Sequence, residues 1–69
     1  MIFREPVISD RIKSVGWESN TLEIEFHGGK IYQYEQVSYP EYKNFMNAES
    51  LGRYLTARIE KIHTYKPIN

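Results

Sequence analysis

The stretch from Thr21 to Val37 (Thr-Leu-Glu-Ile-Glu-Phe-His-Gly-Gly-Lys-Ile-Tyr-Gln-Tyr-Glu-Gln-Val) limits the possible folds more than any other. Leu22, Ile24 and Phe26 alternate with Glu23, Glu25 and His27, the pattern of a strand with one buried and one solvated face. Gly28-Gly29 supplies the positive φ angles of a tight hairpin turn, so the residues after Lys30 return as a second strand. Two registers are open. With a strict two-residue turn, Phe26 pairs with Ile31, and Tyr32 and Tyr34 emerge opposite Glu25 and Glu23 on the solvated face. With His27-Gly28-Gly29 as the loop and Gly29 left-handed in a bulge, Phe26 pairs with Lys30, and the tyrosines join Leu22 and Ile24 in the core. The need of so small a sheet for burial favours the second register.

A chain of 69 residues is read as one domain, 1–69, with a thin core and a stability of about 3 to 10 kcal/mol. It has no cysteine, so neither disulfides nor thiolate metal ligands contribute, and a cytoplasmic location is the expectation. No run approaches the roughly 20 apolar residues of a membrane helix, and no membrane partner is expected. Formal charge sums to zero, which argues against a strong nonspecific grip on phosphate. The charge is uneven, however. Residues 1–49 hold five basic side chains against eight acidic ones, whereas residues 50–69 hold Arg53, Arg58, Lys61 and Lys66 against Glu60 alone. A basic surface would lie on the C-terminal segment; the plainer reading is a basic helix docked beside acidic strands.

In chain order, residues 1–11 read as an arm that Pro6 keeps from being helical and that can add an edge strand. Ile12 to Trp17 reads as a strand with Val15 and Trp17 on one face, Ser14 and Gly16 on the other, and Glu18-Ser19-Asn20 as the turn into Thr21. Gly16 in mid-strand marks a place where another group packs close, a tyrosine ring being the expected occupant. Behind Pro40, Tyr42, Phe45 and Met46 recur at helical spacing, so a helix is expected from about Pro40 to Ala48, with Glu41 in its first turn. Ser50 caps a second helix carrying Leu51, Leu55, Ile59 and Ile62 on one stripe, which should face Leu22, Ile24 and Phe26. His63 to Asn69 reads as a tail, with Pro67 ending any regular structure. These elements make an α+β domain: an antiparallel sheet of three strands, four if the arm joins, packed on one face by two C-terminal helices.

Little in the sequence points to a reaction. Glu23, Glu25 and His27 share a strand face and are metal-ligating types, but alternation on a wet face produces the same pattern, so no metal or other cofactor is expected. His63 reads as a solvated tail histidine, and Asp10, the one aspartate, as a turn former. No Ser/His/Asp set has nucleophile spacing and no Gly-rich loop opens a helix, so the chain is not expected to be an enzyme.

Ser9, Ile12, Ser14-Val15-Gly16 followed by an aromatic residue, Leu22-x-Ile24-x-Phe26, Gly29, Tyr32-x-Tyr34, Val37, Pro40, Ser50-x-Gly52 and Ile59 together resemble the KTSC domain over roughly residues 4–65. That module is named after the C-terminus of some lysyl-tRNA synthetases and also occurs free-standing in bacteria and their phages. Trp17 stands where the family usually has Tyr, and the helix after Ser50 is usually richer in Arg and Asn than Thr56-Ala57-Arg58. The family has no established function, and its synthetase context implies RNA binding.

Two functions from different classes follow. The first is a non-enzymatic module that binds RNA through Tyr32, Tyr34, Arg53, Arg58 and Lys61. The second is a protein-interaction module, including one carried by a phage, that uses an exposed sheet edge or aromatic surface.

Overall fold

Two tight turns set the sheet. In a computed structural model describing residues 1–69, five strands occur: β1 (Glu5–Pro6), β2 (Ile12–Glu18), β3 (Thr21–Phe26), β4 (Ile31–Tyr34) and β5 (Tyr65–Pro67). They lie side by side in chain order, each antiparallel to its neighbour. Ser19 and Asn20 both adopt left-handed angles (φ 51° and 64°), the conformation whose twist matches a two-residue hairpin between β2 and β3. In the next hairpin the Phe26 N–H donates to the Lys30 carbonyl at 2.9 Å, and Gly29 takes φ 99°. The loop is therefore His27-Gly28-Gly29 with the bulge at Gly29, a backbone angle that side chains rarely accept. This register pairs Leu22 with Tyr34 and Ile24 with Tyr32, so both tyrosines take the helix-facing side.

The sheet has five strands where the sequence suggested three or four, because the tail is held as firmly as the arm. Glu35 N–H donates to the Thr64 carbonyl (2.8 Å) and Ile68 N–H to that of Ile31 (2.9 Å). Beyond Ile68 the Asn69 side chain continues the ladder, accepting from Ile31 N–H (2.9 Å) and donating to the Gly29 carbonyl (2.8 Å). Regular structure stops at Pro67, as the sequence suggested, but the residues before it form a strand and not a free tail. Both outermost strands thus contain a proline, Pro6 and Pro67, where a missing N–H costs no ladder bond that the sheet needs.

Helix α1 (Tyr39–Met46) begins one residue earlier than Pro40, because Ser38 caps it by accepting from Glu41 N–H. Helix α2 (Leu51–Tyr54) is capped by Ser50 and runs on as a π-helical turn, Leu55–Ile59, in which Glu60 N–H reaches back five residues to Leu55. Leu55 and Ile59 are fully buried with Ile12, Val15, Leu22, Ile24, Tyr34, Val37 and Phe45. Phe26 packs against this core but is only half-buried. Ile62 leaves the expected stripe and is 72% exposed, because the helix ends in a turn whose N–H groups at Ile62 and His63 both point to Ile59. Trp17 stacks on Tyr42 at 5.7 Å and donates its indole N–H to the Val37 carbonyl at 2.7 Å, fastening α1 to the sheet.

The other face of the sheet is not the wet face that alternation suggested. The N-terminal arm crosses it, and Gly16 makes the crossing possible. A Cβ on Gly16 would sit 2.4 Å from the Phe3 carbonyl oxygen, so the close neighbour is arm backbone and not an aromatic ring. Under the arm, Glu23 is only 4% exposed. Arg4 pairs with Glu23 and donates from Nε to Ser14 (3.1 Å), Ser14 donates to Glu25 (2.8 Å), and the Gln33 amide donates to Glu23 (2.8 Å). A buried carboxylate is tolerable only with such partners.

Candidate functional site

The bulged register has a chemical consequence on the helix side. Tyr34 and Tyr65 are ladder partners and stack with centroids 5.0 Å apart. Tyr32 meets Tyr65 at 5.9 Å and Phe26 edge-on at 5.8 Å. Rings from β3, β4 and β5 thus form one continuous aromatic floor, and the helices leave its outer part uncovered: Tyr32 is half-buried and Tyr65 43% exposed.

Arg11, His27 and Lys30 stand around this floor and Glu60 closes its inner end, enclosing a groove of about 490 Å³. That is the size range of small-ligand sites. Arg11 is held on several sides. Its guanidinium lies 5.1 Å above the Phe26 ring, bonds the Thr56 hydroxyl and the Gly52 carbonyl (3.4 Å), and approaches Glu60 at 3.5 Å. The Arg11 stem packs beside Gly52, where a Cβ would fall at contact distance, 3.4 Å from Arg11 Cβ. The Tyr34 hydroxyl donates to Glu60 Oε2 at 2.8 Å. Burial first, then the bond and charge of Glu60, push the Tyr34 phenol well above the ordinary tyrosine range.

The five residues proposed from sequence are not gathered in one place. Tyr32 faces the groove. The Tyr34 ring is fully buried, so its role is to support Tyr65 and bond Glu60, while Tyr65 offers the open ring. Arg53 and Arg58 are exposed along a separate shallow depression beside Tyr54 and Ala57, and Lys61 projects beyond the helix. Sequence reasoning missed Tyr65, Arg11, Lys30 and Glu60. Tyr65 was hidden by the proline two residues later, and the grouping of the others depends on a register that the sequence left open.

The other sequence candidates take structural places. Glu23 and Glu25 turn to Arg4 and Ser14, whereas His27 Nε2 lies 2.8 Å from the Ser9 carbonyl, so the three do not converge. His63 is not a solvated tail residue. Its Nδ1 lies 2.8 Å from the Glu35 carbonyl and its Nε2 2.7 Å from Glu41, which ties the segment before β5 to α1. No helix is long and apolar enough to cross a membrane.

Comparison with known proteins agrees with this architecture. The family model described as the KTSC domain matches residues 8–65. The crystal structure of a KTSC domain protein from Yersinia pestis is similar with a TM-score of 0.89 and 38% sequence identity, over the whole of both chains. No curated protein matches the chain. With the match spanning everything from the end of the arm to the first residue of β5, the chain belongs to the KTSC domain family.

Proposed function

We propose that this chain is a small non-enzymatic module that binds single-stranded RNA in the groove over Tyr32 and Tyr65. The observation that carries the reading is an open aromatic floor, Phe26, Tyr32 and Tyr65, bordered by Arg11 and Lys30. Unstacked bases lie on such rings while cations at the rim meet the phosphates. Stacking contributes about 1 to 3 kcal/mol per base, and the groove holds one or two bases, so a micromolar to millimolar Kd is expected. With no net charge to hold nucleic acid elsewhere, affinity should fall only mildly with salt, a log–log slope of about −1.4 for two phosphates. Arg53, Arg58 and Lys61 would extend the path of a longer strand over the helix.

A second reading rests on the arm. Phe3 and Ile8 are 78% and 100% exposed, and Phe3 borders a depression with Ile68, an apolar surface suited to a protein partner. Titration of isotope-labelled protein with short uridine-rich RNA at low salt separates the two. The RNA reading expects shifts at groove residues, lost in Tyr32→Ala and Tyr65→Ala. Shifts that survive both substitutions but vanish when Arg53, Arg58 and Lys61 become Gln would move the site to the helix. An absence of shifts with any RNA would leave the protein-interaction module.

A further inference from the structure

Glu60 is out of place in a groove meant only for phosphate and stacking, and its bonding is lopsided. Oε2 takes both the Tyr34 hydroxyl (2.8 Å) and the approach of Arg11 (3.5 Å), while Oε1 receives no hydrogen bond from the protein. The side chain is 19% exposed and lines the groove at the hydroxyl end of the stacked Tyr34 and Tyr65 rings. A base lying on Tyr65 and Tyr32 therefore has one edge toward a carboxylate oxygen that can only accept.

We propose that the groove selects a guanine base, with Glu60 reading its Watson–Crick edge; this rests on the RNA-binding reading above. Among the RNA bases, guanine alone presents two adjacent donors there, the ring N1–H and the exocyclic amino group. Adenine and cytosine each set a ring acceptor beside their amino group, and uracil flanks its one N–H with two carbonyl oxygens. Each of these three turns a lone pair toward the carboxylate, and such unpaired contacts generate discrimination. The Arg11 guanidinium lies beside Glu60 and is a donor suited to guanine O6, which neighbours N1–H. The same geometry disfavours a cationic peptide side chain, although aromatic rings and a carboxylate often hold one, because Arg11 and Lys30 at the rim repel it.

The test uses the whole chain and short uridine oligonucleotides carrying guanosine, adenosine, cytidine or inosine at the centre, with the four nucleoside monophosphates alongside, read by chemical-shift titration. The guanosine oligonucleotide should bind at least about fivefold tighter than the adenosine, cytidine and all-uridine ones. Inosine, which lacks the exocyclic amino group, should fall between them. Glu60→Gln, which replaces one acceptor by a donor, should bring guanosine and uridine to parity, guanosine losing an acceptor and uridine no longer setting a carbonyl oxygen against a carboxylate. Because the inosine comparison uses the parent protein, the outcome stands even if Glu60→Gln weakens the fold. Equal binding of all oligonucleotides overturns guanine selection and keeps RNA binding. Binding of GMP over AMP without oligonucleotide binding keeps the guanine site and overturns the RNA reading. Binding of no nucleotide, or of a cationic peptide in their place, overturns both.

Discussion

Removing the arm and removing its arginine should do the same damage only once. In Gly16→Ala the new Cβ would lie 2.4 Å from the Phe3 carbonyl oxygen and 2.7 Å from Ile2, so backbone must retreat by about 1 Å, and the two-residue β1 is too short to resist. The arm lifts off, Arg4 leaves Glu23, and that carboxylate becomes hydrated. In Arg4→Ala the arm stays, and Glu23 is left under cover with only Gln33. Breaking a fully buried ion pair costs about 3 to 5 kcal/mol; because the Arg4 side chain is 26% exposed, about 2 to 3 kcal/mol is expected. Gly16→Ala should cost a similar amount from lost arm contacts. In the double variant Arg4 has already been detached, so its deletion adds almost nothing. The total should stay near 2 to 3 kcal/mol, a Tm drop of roughly 10 to 20 °C in a domain this small. Urea unfolding of the parent, both single variants and the double variant measures the coupling. Additive losses, about 4 to 6 kcal/mol in the double variant, would show that Gly16 and Arg4 act through different contacts and refute the reasoning.

Phe26→Ala should cost about 1.5 to 3 kcal/mol, less than the 3 to 5 kcal/mol of a fully buried phenylalanine, since one side of its ring faces the groove; a Tm unchanged within about 2 °C would contradict this packing. Alkaline pH should unfold the protein through Tyr34. Below pH 10 folded and unfolded chains both keep the phenolic proton, and above it only the unfolded chain releases it, so stability falls by up to about 1.4 kcal/mol per pH unit. Tyr34→Phe should flatten that slope, and Tyr42, raised by burial in the same direction, should supply a remainder. Urea midpoints followed from pH 9 upward check both statements, an equally steep fall in Tyr34→Phe being the contrary result.

Strand alternation and helical spacing were enough to find β2, β3, β4 and both helices, because each buries a periodic apolar set against the others. What stayed hidden depended on contacts between distant segments. The hairpin register was only half hidden: two alternatives stood open, and the need for burial favoured the one found, with Gly29 left-handed and Tyr34 in the core. β5 has three residues and a proline, too little pattern to show as a strand, and is held by bonds to β4 and by the Asn69 side chain. The acidic side of β3 looked solvated because charge is the usual mark of solvent, and Arg4, nineteen residues away, reversed that meaning. The candidate site suffered most. Tyr32 was legible, but its neighbours Tyr65, Arg11 and Glu60 come from an unrecognised strand, the arm and a widened helical turn.

The prolines at the two borders of the sheet decide how the domain behaves among other copies of itself. An unprotected outer strand offers a template on which a neighbouring chain can continue the ladder, the first step toward fibres. Here a visiting strand would meet a missing donor at Pro6 on one border and at Pro67 on the other, each within a run of two or three residues. Growth sideways is blocked at both ends. In a crowded or tandem arrangement of such domains, continuation of the ladder from one copy to the next is thereby disfavoured at either border.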